Sequence, residues 1–378
     1  MTLQLSWSDC STVNQTRLLP SLLADSQAMQ EDKVTPISCL CGGVAQEIEL
    51  KQSTDHSALN FCHCTACRTV TGMLCSTYYL LQAKPESLDS LQEYQEADCI
   101  SRYFCKTCGA HVFAHSKHTG QFFVAAGLLA GRLPPTKSIR HWRAAETRDG
   151  GLTPFLSGQP EEPAPACWLR TVSSNQASQP EAGLEPSSRN PDELLARCHC
   201  GGVEFYITRP DSSSTKPTSP WSDLLAPYHS QSSSNPQDKK WWLQEENTKY
   251  LAGTCACPSC RLASGFPIQP WAFIPLSNLY NKDKVPLAFG AGTMRQYKSS
   301  PGVYRDFCSR CGASLFWHDD ERPLLIDVSV GLLRAEEGSR ASGWLKWATQ
   351  RVSFAEMAAD KALIKHLQNG LKEFGDRA

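Results

Sequence analysis

Fourteen of the 18 cysteines fall into two series of seven, with the same order and the same internal gaps, and nothing else in the chain restricts its fold as tightly. The first series reads "CLCGG" (Cys39, Cys41), "CHCTACR" (Cys62, Cys64, Cys67) and "RYFCKTCGAHVF" (Cys105, Cys108). The second reads "CHCGG" (Cys198, Cys200), "CACPSCR" (Cys255, Cys257, Cys260) and "RDFCSRCGASLF" (Cys308, Cys311). Neighbours repeat as well. Gly-Gly-Val follows the first pair, Arg68 or Arg261 follows the trio, Arg102 or Arg305 stands three before the last pair, and "GLL" comes later in both halves. Linked motifs recurring in order are the mark of a duplicated domain.

The division expected is an N-terminal extension (1–34), a first domain (35–150), a flexible linker (151–193), a second domain (194–350) and a C-terminal helix (351–378). A chain of 378 residues suits two domains better than one. The linker carries the Pro/Ser/Glu-rich stretch 157–191. The second domain contains a Ser- and Pro-rich insertion near 210–240, which by composition reads as a disordered loop. Elsewhere the patterning is mainly β. "VEFYI" and "LIDVSVGLL" alternate apolar and polar residues, while "QFFVAAGLL" and "MLCSTYYLL" are apolar runs of strand length. A helical stripe of Met357, Ile364, Leu367, Leu371 and Phe374 is expected to pack on the second domain.

Clustered cysteines in a chain with no basic-then-apolar leader point to metal or redox chemistry rather than disulfides. The expected location is cytoplasmic or nuclear, with no membrane partner. Scattered Cys10, Cys75, Cys99 and Cys167 read as ordinary thiols. Lys+Arg (37) balance Asp+Glu (38), and no basic, aromatic-laced stripe marks a nucleic-acid surface.

A C-x-x-C-G turn aims two sulfurs at one ion, so a four-thiolate site needs a second pair. Each half has one, in its C-x-C-G-G. Cys39, Cys41, Cys105 and Cys108 therefore form one expected structural zinc site, and Cys198, Cys200, Cys308 and Cys311 the other, with iron, redox thiols or a different pairing as the other readings. The trios differ. Three thiolates leave a coordination position open for water or a substrate thiol, as in a catalytic zinc. Three other readings stand beside this one: a protein fourth ligand, reactive thiols without stable metal, or a copy whose cysteines serve only the fold. His63 is a poor shared fourth ligand because the second copy has Ala256 there. His111, His115 and His118 read as solvated hairpin histidines.

The ordered set C-x-C-G-G, C-x-C-x-x-C-R and R-x-F-C-x-x-C-G-A resembles the glutathione-dependent formaldehyde-activating enzyme family, which includes centromere protein V-like proteins. The resemblance covers about 35–150 and 194–350. It implies a β-tent fold of small antiparallel coiled sheets, structural zinc on the outer pairs, and up to two further ions on the trios. It also implies carbon–sulfur lyase chemistry joining glutathione, as co-substrate, to formaldehyde, with a small-molecule thiol adduct as partner. Cys62, Cys64, Cys67, Cys255, Cys257 and Cys260 would carry the activity. Arg68, Arg102, Arg261 and Arg305 would anchor glutathione carboxylates or form structural ion pairs. A non-catalytic zinc-stapled scaffold is the alternative. The second copy lacks the histidine that the first offers as His141.

Overall fold

The computed structural model describes residues 34–52, 54–97, 99–130, 135–157 and 190–377. The first copy runs β1 (Val34–Ser38), β2 (Ala45–Glu49), β3 (Ala58–Cys62), α1 (Thr65–Thr71), β4 (Ser76–Leu80), β5 (Leu91–Ala97), β6 (Ile100–Cys105), β7 (His111–Ser116), β8 (Gln121–Ala125) and β9 (Ser138–Trp142). The second runs β10 (Glu193–Arg197), β11 (Glu204–Thr208), β12 (Leu243–Gln244), β13 (Lys249–Cys255), α2 (Pro258–Ser264) and β14 (Gln269–Pro275). It continues with β15 (Leu279–Tyr280), β16 (Met294–Ser300), β17 (Val303–Cys308), β18 (Ser314–Asp319), β19 (Leu325–Ser329) and β20 (Leu345–Trp347), and α3 (Lys361–Arg377) closes the chain.

The repeat read from cysteines extends to strand order. The larger sheet of the first copy is ordered β5-β6-β7-β8-β4-β3-β9, and that of the second β16-β17-β18-β19-β14-β13, with β20 and β12 on β13. Each copy adds a small sheet, β1-β2 in one and β10-β11-β15 in the other. Pairing is antiparallel except at β3–β9 and β13–β20. The fold is thus mainly β, with small antiparallel sheets and a C-terminal helix, as expected.

One hydrophobic core runs through both copies. The helix after each trio is pressed against the other copy. Gly331 donates to the Gly72 carbonyl at 2.9 Å, and Gly127 to the Gly265 carbonyl at 2.8 Å. Gly72 (φ +80°) and Gly265 (φ +88°) end the two helices in left-handed conformation, where a Cβ would stand 2.3 Å from Ser314 O and 2.1 Å from His111 O of the other copy. Leu40 N bonds Leu262 O (3.2 Å) and His199 N bonds Thr69 O (3.1 Å), related contacts running in opposite directions. The copies therefore meet as a matched pair.

Several expectations need correction. The insertion at 210–240 is ordered. Asp211 caps a short turn at Ser212–Thr215, Asn235 bonds Lys239 and His229, Trp221 packs on Trp317, and Leu225 lies against Gly253. Its Ser and Asn side chains satisfy turn backbone, and its few large apolar groups find partners, which composition alone does not reveal. Residues 151–157, read as linker, include buried Leu152, Phe155 and Leu156. The C-terminal helix packs on this segment as well as on the second copy. Phe374 meets Phe155 at 5.0 Å, and a Cβ on Gly370 would touch Phe155 O at 2.2 Å. His111 is not solvated: it is fully buried and its Nε2 bonds Val70 O at 2.8 Å. Residues 1–33 and 158–189, which hold most of the expected extension and linker, lie outside the described residues.

Candidate metal centres

Two four-cysteine clusters assemble as the spacing predicts. Cys39 and Cys41 follow β1, and Cys105 and Cys108 span the turn from β6 toward β7; Cys198, Cys200, Cys308 and Cys311 repeat the arrangement. Within each cluster the sulfurs lie within 4.8 Å of one another. Neighbouring sulfurs stand at 3.5 Å (Cys39–Cys41, Cys41–Cys105, Cys200–Cys308) and 3.6 Å (Cys198–Cys200). A tetrahedral ion with bonds of about 2.3 Å sets a sulfur–sulfur edge of about 3.8 Å, so this donor set fits such an ion.

The Gly-Gly-Val that follows each first pair now has a physical role. The amides of Gly43 and Val44 donate to Cys41 and Cys39 sulfur at 3.4 Å each. Those of Gly202 and Val203 donate to Cys200 and Cys198 at 3.4 and 3.3 Å. Such donors favour the thiolate form a metal needs. Cys41 is drawn down to about 7: Cys105 pushes it up, but Cys108 and Cys39 outweigh it. Cys200 also falls to about 7, with Cys198 the largest influence. Each cluster faces the other copy. Burial, then the thiols of Cys311 and Cys200, raise the Tyr94 phenol, and the Tyr94 hydroxyl meets His199 Nδ1 at 2.6 Å. Tyr297 is raised by burial and then by Cys41 and Cys108.

The trios form a different kind of site. In the first copy, Cys62 ends β3, Cys64 caps α1, and Cys67 lies in its first turn. Cys255, Cys257 and Cys260 hold the same stations at β13 and α2, where Pro258 opens the helix. Strand end, cap and first turn bring three sulfurs within 4.8 Å of one another. Cys67 N donates to Cys64 sulfur at 3.4 Å and Cys260 N to Cys257 at 3.3 Å. All six are buried, and Ala66 and Trp142 pack on the first trio. The thiol–thiol hydrogen bonds and then burial push Cys62 and Cys255 well up. The three-sulfur donor set suits a soft divalent ion with one position left over.

Arg102 and Arg305 stand at the trios. Arg102 Nη2 donates to Cys67 sulfur at 3.2 Å, and Arg305 sends Nη1 and Nη2 to Cys260 at 3.8 and 3.7 Å. Arg102 also forms a fully buried pair with Glu96 at 2.5 Å, which raises its proton affinity against the opposing effect of burial. Sequence reading missed Glu96. It sits at the β5 bulge, where the second copy has Ser299, so comparison of the copies does not flag it. Arg68 and Arg261 do not reach the trios in the same way. Arg261 is taken up by the carbonyls of Gly127 and, at 3.4 Å, Leu129, both in the first copy.

His63 is not in the metal cluster. Its Nε2 meets His141 Nδ1 at 2.9 Å, and His141 Nε2 donates to Leu156 O at 2.6 Å. Burial, then His141 and Arg68, lower His63 to about 3, so it is neutral at pH 7. The second copy replaces this polar pair with buried Ala256 and Val352, the latter preceding Ser353, which bridges Cys255 as Trp142 pairs with Cys62. The insertion instead brings Asp223 close to the second trio. Ser353 Oγ donates to its carbonyl at 2.5 Å, and its carboxylate faces Arg322 at 3.4 Å.

With this geometry in hand, the family comparison is decisive. The model of the glutathione-dependent formaldehyde-activating enzyme family matches residues 34–143 and again 243–346. The chain belongs to this family. One matched segment falls in each copy, the second beginning after Cys198, Cys200 and the insertion, and membership ties the chain to glutathione-related, metal-binding function. No curated protein matches the chain. Among the described residues, no helix is long and apolar enough to cross a membrane.

Proposed function

We propose that the protein is a zinc-dependent enzyme of carbon–sulfur lyase type, acting on the glutathione adduct of a small aldehyde such as formaldehyde. The observation that supports this most is the coexistence of two kinds of thiolate cluster. Each copy pairs a four-sulfur cluster with a separate three-sulfur cluster that has a guanidinium on its third cysteine.

Cys62, Cys64 and Cys67 would hold the first ion, and Cys255, Cys257 and Cys260 the second. Zinc, when bound, would lower the proton affinity of a thiol entering its open position. Arg102 and Arg305 offset the negative charge of three thiolates and fix the orientation of Cys67 and Cys260. The buried surroundings, with Trp142 over the first trio, keep water from competing. In the reaction, the thiol sulfur bonds to the carbonyl carbon, the C=O π bond opens, and the thiol proton ends on oxygen. Lyase action is the reverse.

A scaffold reading has its own support in the depth of the trios, whose cysteines are 1–7 % exposed. Native mass spectrometry with a chelator, with and without glutathione, separates the two. The enzyme holds two resistant ions and up to two labile ones that respond to glutathione, and it accelerates formation of S-hydroxymethylglutathione. If serine at all six trio cysteines changes neither metal count nor glutathione binding, the enzyme reading is wrong.

A further inference from the structure

The backbone contacts between the copies are matched, but the arginines that follow the trios are not. Arg261 of α2 lies on the 3-10 turn Ala126–Leu128 of the first copy and donates to its carbonyls. Arg68 of α1 faces the corresponding turn, Val330–Leu332. Here two of its nitrogens are not taken up: Arg68 is 4 % exposed, and its Nε and Nη1 are buried without a hydrogen-bond partner. The difference lies two residues beyond the turn. Ala130 and Arg334 occupy equivalent places, each amide bonding the small sheet of its own copy, at Pro36 O and Leu195 O. Beside Arg261 the place holds a methyl group, and beside Arg68 it holds a second guanidinium.

Arg334 Nη2 donates to Arg197 O at 3.2 Å, while its Nη1 is also buried without a partner. Burial first, then Arg68 and Arg197, hold this guanidinium down to about 10. The acidic groups that act on Arg68 are engaged elsewhere. Asp149 accepts from Arg340 N (2.7 Å), Gly151 N (2.9 Å) and Ser339 Oγ (3.1 Å), and Glu146 is paired with Arg143. A buried guanidinium beside a half-buried one, each with an open buried donor, is costly unless an anion joins them. A water molecule would fill donors but leave the repulsion.

We propose that Arg68 and Arg334 form a binding site between the copies for a small oxyanion, a carboxylate or a phosphate. Guanidinium groups suit both through multiple N–H donors in a fixed plane. Arg334 is only half-buried, which gives the anion a route in from solvent. Because Ala130 stands in the equivalent place, the contact offers one such site among the described residues, not two. Arg68 follows Cys67 in the chain, but the proposal does not depend on the lyase reading, and its test reads binding and stability rather than turnover.

The full metal-loaded chain is titrated calorimetrically with inorganic phosphate and with S-methylglutathione, which has carboxylates but no free thiol for a metal. Thermal unfolding is followed in the same buffers. The expected result is one saturable site for at least one probe, a rise in Tm on its addition, and at least tenfold weaker binding in Arg334→Met, with Arg334→Lys in between. The tighter probe identifies the source as phosphate or carboxylate. If the wild type binds neither probe, or Arg334→Met binds as the wild type does, the proposal is overturned. Should Arg334→Met fail to fold, Arg334→Lys and Arg334→Gln give the same comparison.

Discussion

Replacing Arg102 with methionine tests whether the guanidinium at the first trio acts as a charge or as filler. Arg102 and Glu96 are both fully buried, 2.5 Å apart, and Arg102 also reaches Cys67 at 3.2 Å. Methionine keeps most of the stem volume but strips the buried Glu96 carboxylate of its guanidinium. Breaking such a pair from one side costs about 3–5 kcal/mol. Glu96→Gln alone leaves the opposite charge and costs a similar amount. The double variant removes both charges and, with volume roughly kept, loses only about 1–2 kcal/mol, since a buried pair contributes little net stability over neutral groups. The cycle thus predicts that the double variant is more stable than either single one, with a coupling of at least about 3 kcal/mol. At about 2–4 °C per kcal/mol, each single variant lowers the apparent Tm by roughly 6–20 °C and the double by roughly 2–8 °C. Scanning calorimetry of the full chain at fixed zinc reads this directly, and metal counting shows whether the variants differ in bound ions. If the two single losses simply add, the pair is not a coupled unit and the reasoning fails.

Two further outcomes follow from the packing. Gly331→Ala places a Cβ 2.2 Å from Met73 O and 2.5 Å from Gly72 C, both backbone atoms of the other copy, and strains the Gly331–Gly72 hydrogen bond. It should cost about 3 kcal/mol in urea unfolding, against about 1–2 kcal/mol for Gly290→Ala, which meets open space at φ +75°; equal losses would mean the copies are not tightly joined there. Asp223 is raised to about 6, by burial first, from an ordinary 3.8. The folded state then binds more protons than the unfolded chain between these values, so this group's contribution to stability falls as pH rises through the window. Asp223→Asn should gain on the wild type by up to about 3 kcal/mol between pH 4 and 7, and a stability difference flat from pH 5 to 7 would contradict the assignment.

The cysteine series made the metal clusters legible because ligand spacing is a local property. C-x-x-C-G closes a turn whatever surrounds it, and C-x-C-x-x-C places three sulfurs at a strand end, a helix cap and a first turn. Glu96 was not legible, because its meaning comes from a partner across a hairpin and the second copy lacks it. The insertion misled because Ser, Pro and Asn suit both disorder and tightly bonded turns. Only contacts such as Trp221 on Trp317 separate the two.

The sequence by itself determined the duplication, the mainly β class and the sorting of fourteen cysteines into four clusters, since identical spacing forces identical local geometry. Tertiary structure decided what no local pattern encodes. It turned His63 away from the first trio toward His141, spent Arg261 on the other copy's backbone, and left Arg68 facing Arg334. Those outcomes depend on how two similar surfaces meet, and a single changed residue at such a contact, Arg334 in place of alanine, alters the electrostatics of one copy and not the other.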